Sequence, residues 1–241
     1  MAKIELIRRS VVEYTMVCAF LVWLNSTAAL AQTGAASCGN LNYGGEGIFD
    51  YRTHRDMAAK TETFHFTPEV EALIRGKTTE YLAGDIDFML MHYPNHHRAL
   101  IAMMRYAEKL KSPQPRGAQY PVECYFDRAL RFQPDDNVVR MLYAGFLGKN
   151  TRINDAMRQL ELVTNSAGEN PFTHYSAGLI YMEMKQYDKA LASAHRAIDL
   201  GFPRRELMEQ LKAAGRWSEP IEKSTAPAPD SPASDTQLTP K

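Results

Sequence analysis

An all-α protein built of antiparallel helix hairpins is the fold class this sequence predicts, and three observations predict it. Between residues 67 and 216 the apolar residues recur at helical spacing, and the β-branched alternation of strands is absent. Cap and break residues separate these stretches by only a few positions, so consecutive helices must run antiparallel. Residues also match at a spacing of 34: Ala144 with Gly178, Leu147 with Tyr181, Ile153 with Tyr187, Ala156 with Ala190, and Val163 with Ala197.

The elements follow in chain order. Thr67-Pro68 is an N-cap with proline at the first helical position, opening a helix whose apolar face runs through Val70, Leu73, Ile74 and Tyr81. A helix over 85–93 stops at Pro94, and Asn95 is placed to cap the next. That one shows Leu100, Met103, Met104 and Leu110 before the break at 112–117. Residues 120–132 are helical up to Pro134. Further helices are expected over 136–148, 152–164, 171–184, 187–200 and 204–215. In the last, Leu207, Met208, Leu211 and Ala214 form one stripe, as the cap of a helical stack requires.

Small residues at Ala144/Gly178 and Ala156/Ala190 let the helices of a hairpin approach closely, and Leu147/Tyr181 and Ile153/Tyr187 fill the space beside them. His174-x-x-Ala177-Gly178-x-x-Tyr181, followed by Tyr187, Ala190, Ala197 and Pro203, resembles one tetratricopeptide repeat. His174 stands where that family usually has an aromatic residue, and the final proline is one place late. Residues 136–166 resemble the unit more weakly. Residues 95–134 make a unit enlarged by an insertion at 112–119, and 67–94 a degenerate first one. The resemblance implies about three to four hairpin units plus a capping helix, a protein-binding role, and an exported protein of the proteobacterial periplasmic type.

The flanks are of different character. Lys3, Arg8 and Arg9, an apolar run over 14–24 and Ala29-Leu30-Ala31 have the layout of a secretory signal over residues 1–31, cleaved near Ala31. The run is short for a membrane span of about 20 residues, so an uncleaved anchor is the lesser reading. The expected location is periplasmic or otherwise exported. Residues 32–66, rich in Gly, Asn and aromatic residues, read as an irregular arm, and 217–241, with five prolines among Ser, Thr, Ala and Asp, as a disordered tail. Cys18 lies in the signal, which leaves Cys38 and Cys124 as one expected disulfide in an oxidising compartment. Two unrelated thiols, or a lipidated Cys38, are the alternatives.

Lys plus Arg and Asp plus Glu both number 28, which gives no basic excess for nucleic acid. The densest polar cluster, His92-Tyr93-Pro94-Asn95-His96-His97, supports the competing reading of a metal-dependent or carbohydrate-active enzyme. Pro94 interrupts it, however, and there is no His-x-x-x-His on one helix, so capping of an inter-unit turn explains it better. Nucleophile-elbow, phosphate-loop and Cys-x-x-Cys motifs are absent, and Tyr43-Gly44-Gly45-Glu46-Gly47 does not join a strand to a helix. Asp85 and Asp87 sit where a helix dipole favours them.

The reading is therefore of a non-catalytic scaffold with no cofactor and no metal. It would bind a segment or helix of an envelope-assembly or secretion component. By register the first helix of each hairpin would line a concave groove with Asn95, Arg98, Ala102, Arg105, Met141, Gly145, Tyr175, Leu179 and Met182. The alternative occupant of that groove is the protein's own arm.

Overall fold

The structure, a computed structural model, describes residues 38–41 and 47–220. The expected signal (1–31), residues 42–46 and most of the expected tail (221–241) lie outside the described residues. Among those described there are ten helices: α1 Arg55–His65, α2 Pro68–Glu71, α3 Leu82–His92, α4 His97–Leu110, α5 Val122–Phe132, α6 Asn137–Lys149, α7 Ile153–Ser166, α8 Pro171–Glu183, α9 Tyr187–Asp199 and α10 Glu206–Ala213. None of them is long and apolar enough to cross a membrane.

Packing is by adjacent pairs. α2 pairs with α3, α4 with α5, α6 with α7 and α8 with α9, and α10 closes the stack against α8 and α9. Successive first helices also touch each other: α2 on α4, α4 on α6, α6 on α8, α8 on α10. No second helix packs comparably on another second helix. Elements on the inside of a curve are crowded and those outside spread apart, so the first helices form the inner layer.

The turns repeat as the helices do. Each unit joins to the next through a carbonyl that accepts from the N-cap residue: Tyr93 from His96 (2.9 Å), Gln133 from Asp136 (3.2 Å) and Ala167 from Asn170 (3.0 Å). The same three caps then accept from the first turn of their helices, His96 Nδ1 from Ala99 N, Asp136 Oδ1 from Val138 N and Val139 N, and Asn170 Oδ1 from Thr173 N. Within each unit the first helix ends on a left-handed residue, Leu73, Lys111, Thr151 or Lys185. The next N–H reaches back to a carbonyl five residues earlier, as Ser112 does to Ala107, Arg152 to Leu147 and Gln186 to Tyr181.

Most of the matched positions are core, Ile153 and Tyr187 being only partly buried. Ala144, Ala156, Ala190 and Val163 are fully buried, and Leu147, Tyr181 and Ala197 nearly so. At Gly178 a Cβ would lie 2.4 Å from Leu207 Cδ2 and 3.1 Å from Ser193 Cβ, so only glycine admits both α9 and the capping helix this close. Two apolar cores result, one from the arm to α6 and one from α6 to α10, with Tyr143 and Phe146 packed against both.

Two expectations are corrected at the N-terminal end. The segment 32–66 is not irregular throughout, because 55–65 forms α1, whose single buried residue is Ala58. The helix expected to run from Pro68 to Tyr81 ends at Glu71: Leu73 turns left-handed (φ 59°) and Ile74 is 71% exposed. The cause lies further along the chain. The backbone N–H groups of Lys77, Thr78 and Thr79 all donate to the carboxylate of Asp85, and a helix could not offer them.

The start of the arm lies across α5. Cys38 is disulfide-bonded to Cys124, and the carbonyls of residues 38–40 accept from two arginines of that helix. Arg128 Nη1 donates to Cys38 (3.3 Å) and Asn40 (2.5 Å), and Arg131 Nη2 to Gly39 (3.1 Å). Gly39 has φ +68°, and a Cβ there would sit 2.2 Å from Tyr120 Oη.

Candidate functional site

The His92–His97 cluster is the turn between α3 and α4, and its side chains are turned apart. His92 Nδ1 donates to its own helix at Phe88 O (2.9 Å). His96 Nδ1 accepts from Ala99 N, which leaves the proton on Nε2, and that atom donates to Glu62 of α1 (2.9 Å). His97 Nε2 instead meets Asp136 of the next turn (2.9 Å). No group of three His, Cys, Asp or Glu side chains that could hold a metal occurs among the described residues.

Asn95 is the centre of this turn. It is fully buried, accepts from Tyr51 N (2.9 Å), and donates to Asp50 (2.7 Å) and Asp136 (3.0 Å). It is neither the cap of α4, which is His96, nor a groove residue; it fastens the arm to two inter-unit turns. Arg52 completes the knot, paired with Asp50 at 2.8 Å and with Asp135 at 3.1 Å. Burial pushes the carboxyls of Asp50 and Asp136 up, but hydrogen bonds from Arg52 and Asn95 to the first, and from His97 and Asn95 to the second, outweigh it. Asp50 is left at about 2 and Asp136 below the usual range.

Burial holds the His96 imidazole below its ordinary value, against the opposing pull of Glu62. The unfolded chain therefore takes up a proton on this ring at a pH where the folded chain does not. The stability tied to a neutral His96 is fully present above about pH 6.5 and is lost as the pH falls through the folded value. Thermal unfolding midpoints should decline from pH 7.5 to pH 5. His96→Asn keeps a cap acceptor but cannot titrate, so it should flatten that decline, and an equal slope in both proteins would refute the assignment.

The expected groove residues divide in two. Arg98 is committed: it pairs with Glu62 (3.1 Å) and Glu71 and covers the Phe66 ring, joining α1, α2 and α4. Ala102, Met141 and Tyr175 are buried between helices, and the Tyr175 ring rests on Phe202 with centroids 4.6 Å apart. Arg105 is exposed and makes no ion pair among the described residues, while Gly145, Leu179 and Met182 are partly exposed. Above Gly145 nothing lies within 4 Å of a built Cβ.

Two clefts open in this inner layer and share Lys149. One, of about 380 Å³, lies between α4 and α6 over Met104, Ala107, Val122 and Phe146, with a 3.1 Å Lys149–Glu108 ion pair at its side. The other, of about 280 Å³, lies between α6 and α8 over Gly145, Gly148, Ile180 and Met184. The sequence reading missed Glu108, Lys149 and the exposed Phe172 on the same helices, although the helical register that gave Arg105 and Leu179 extends to them. It also missed a contact outside the inner layer, between His65 and Asp85. No family model matches the chain, and neither a curated protein nor a solved structure matches it.

Proposed function

We propose that this chain is an exported, periplasmic scaffold of tetratricopeptide type. Its inner helices would hold an extended segment or helix of another protein, a component of envelope assembly or secretion. The observation that carries the reading is the face of α4, α6 and α8, where two apolar-floored clefts meet at Lys149 and an open space lies over Gly145. An apolar floor with a few charged side chains at its rim suits a polypeptide, whose side chains fill the clefts while its backbone stays hydrated. Arg105 at one end and Leu179 and Met182 at the other supply a charged and an apolar anchor. The N-terminal signal layout and a disulfide buried within the fold support export.

Gly145→Trp tests the reading, because the new side chain enters empty space and a helix interior gains from losing glycine. The expected result is an unchanged or slightly raised unfolding midpoint together with loss of the envelope protein that the wild-type chain captures by cross-linking. Equal capture by both proteins would refute the assignment of this face.

A further inference from the structure

A second surface, between α1 and α3, carries an oriented imidazole that nothing in the scaffold reading uses. The groove there has a volume of about 500 Å³ and is lined chiefly by Phe49, Met57, Phe64, Phe88 and Tyr93, with His65 among them. Among the described residues its rim is exposed, Phe64 by 64% and Met57 by 43%, with the exposed Lys60 beside them.

His65 is held from behind. Its Nδ1 lies 3.0 Å from Oδ1 of Asp85, a carboxylate with no exposed surface whose oxygens already accept three backbone N–H groups. A carboxylate accepts only, so Nδ1 carries a proton, and in the neutral imidazole Nε2 then presents a lone pair. No protein group among the described residues takes that lone pair. The ring cannot turn away, because it stacks on Phe88 with centroids 3.8 Å apart and planes 16° apart. Phe88 is supported in turn by His92, at 4.2 Å. Beside these rings Thr61 Oγ1 donates to Met57 O and lies 3.3 Å from Tyr93 Oη, so the protons of both hydroxyls are already placed and neither is offered to His65.

We infer that this groove is a docking site for a tyrosine side chain of a partner polypeptide, whose phenol O–H donates to His65 Nε2 while its ring lies on the Phe64 and Phe88 side chains. Three features select that occupant. An apolar ring laid over the groove would leave the imidazole acceptor unmet, at a cost of about 1–3 kcal/mol, so the occupant must carry a donor. His65 is recessed, its side chain 13% exposed beside the 64% of Phe64, so the donor must stand at the tip of a long ring. Tyrosine has that geometry; an indole carries its N–H on the flank. Finally, among the described residues the groove is open along one side with an exposed, largely apolar rim, which matches a side chain projecting from another protein better than an enclosed small molecule.

The inference rests on the reading of the chain as a binder of another protein, but at a separate site, so the two can fail separately. The test uses the intact oxidised chain and two capped peptides, acetyl-Gly-Tyr-Gly-amide and acetyl-Gly-Phe-Gly-amide, followed by NMR of the histidine side-chain nitrogens. The tyrosine peptide should move the His65 Nε2 resonance and bind about tenfold more tightly than the phenylalanine peptide. In His65→Phe, which keeps the stack on Phe88, that preference should vanish with the helical circular dichroism unchanged. Phe88→Leu, which keeps the acceptor, should weaken both peptides. Equal binding of the two peptides by the wild type, an unmoved His65 resonance, or a preference that survives His65→Phe would each overturn the inference. Loss of capture in Gly145→Trp bears only on the inner face.

Discussion

Breaking the Cys38–Cys124 bond is expected to lower the unfolding free energy by up to about 4–5 kcal/mol, the loop entropy of a cross-link spanning so long a segment, against a typical total of about 5–15 kcal/mol. The two cysteines stand 86 residues apart, and the bond ties the arm to α5, a helix that contributes to the first apolar core. The second core, α6 to α10, lies outside the closed loop. In a stack whose units interact with their neighbours, the loss should therefore fall on the N-terminal half. Urea unfolding of the reduced chain should show an early transition in which amide protection is lost in α3 to α5 before α8 and α9. Arg128 sharpens the expectation. Its side chain is fully buried, its Nε and Nη2 have no hydrogen-bond partner among the described residues, and burial holds its guanidinium below the ordinary arginine value. Hydration of this group favours the released arm, so non-covalent contacts hold residues 38–41 weakly once the bond is cut. A single transition at an unchanged midpoint after reduction would contradict this.

The parts of the fold legible in the sequence are those where one helix meets its immediate neighbours. Leu147, Tyr181, Ala156 and Ala190 could be matched because each occupies the same small or large slot in consecutive hairpins. The caps were half legible: proline and a polar residue mark the turns, but whether Asn95 or His96 caps α4 depends on Asp50 and Tyr51, which lie 45 and 44 residues away. Helix α1 was missed because it buries only Ala58 and so carries almost no stripe. The left-handed stops at Leu73, Lys111, Thr151 and Lys185 were missed for a different reason. No glycine marks them, since the surrounding helix pairs impose the conformation on ordinary residues. The groove face was legible as a register and illegible as a surface. Periodicity places Arg98 and Tyr175 on the inner helices, but Glu62, Glu71 and Phe202, which occupy their side chains, come from other elements.

Asp85→Ala is expected to destabilise the protein by about 3 kcal/mol, because one side chain ends α2, orders the following loop and orients His65. The carboxylate has no exposed surface and accepts from Lys77 N at 2.6 Å, from Thr78 N and Thr79 N at 3.2 Å, and from His65 Nδ1 at 3.0 Å. Alanine leaves all four donors without an acceptor. Lys77 and Thr78 are exposed, so their N–H groups can turn to water, which keeps the loss below the sum of four buried orphans. The loop then gives up its structure, and trypsin should cut after Arg75 and Lys77 many times faster than in the wild type. Asp85→Asn retains one acceptor oxygen but sets an amide N–H₂ against donors. It should recover little of the stability and should leave His65 free to take its other tautomer. The double variant Asp85→Ala/His65→Phe separates the two roles: the destabilisation of the loop persists, while the tyrosine preference is already gone in each single variant. If Asp85→Ala unfolded at the wild-type urea concentration and its loop resisted trypsin, the carboxylate would not be what stops α2.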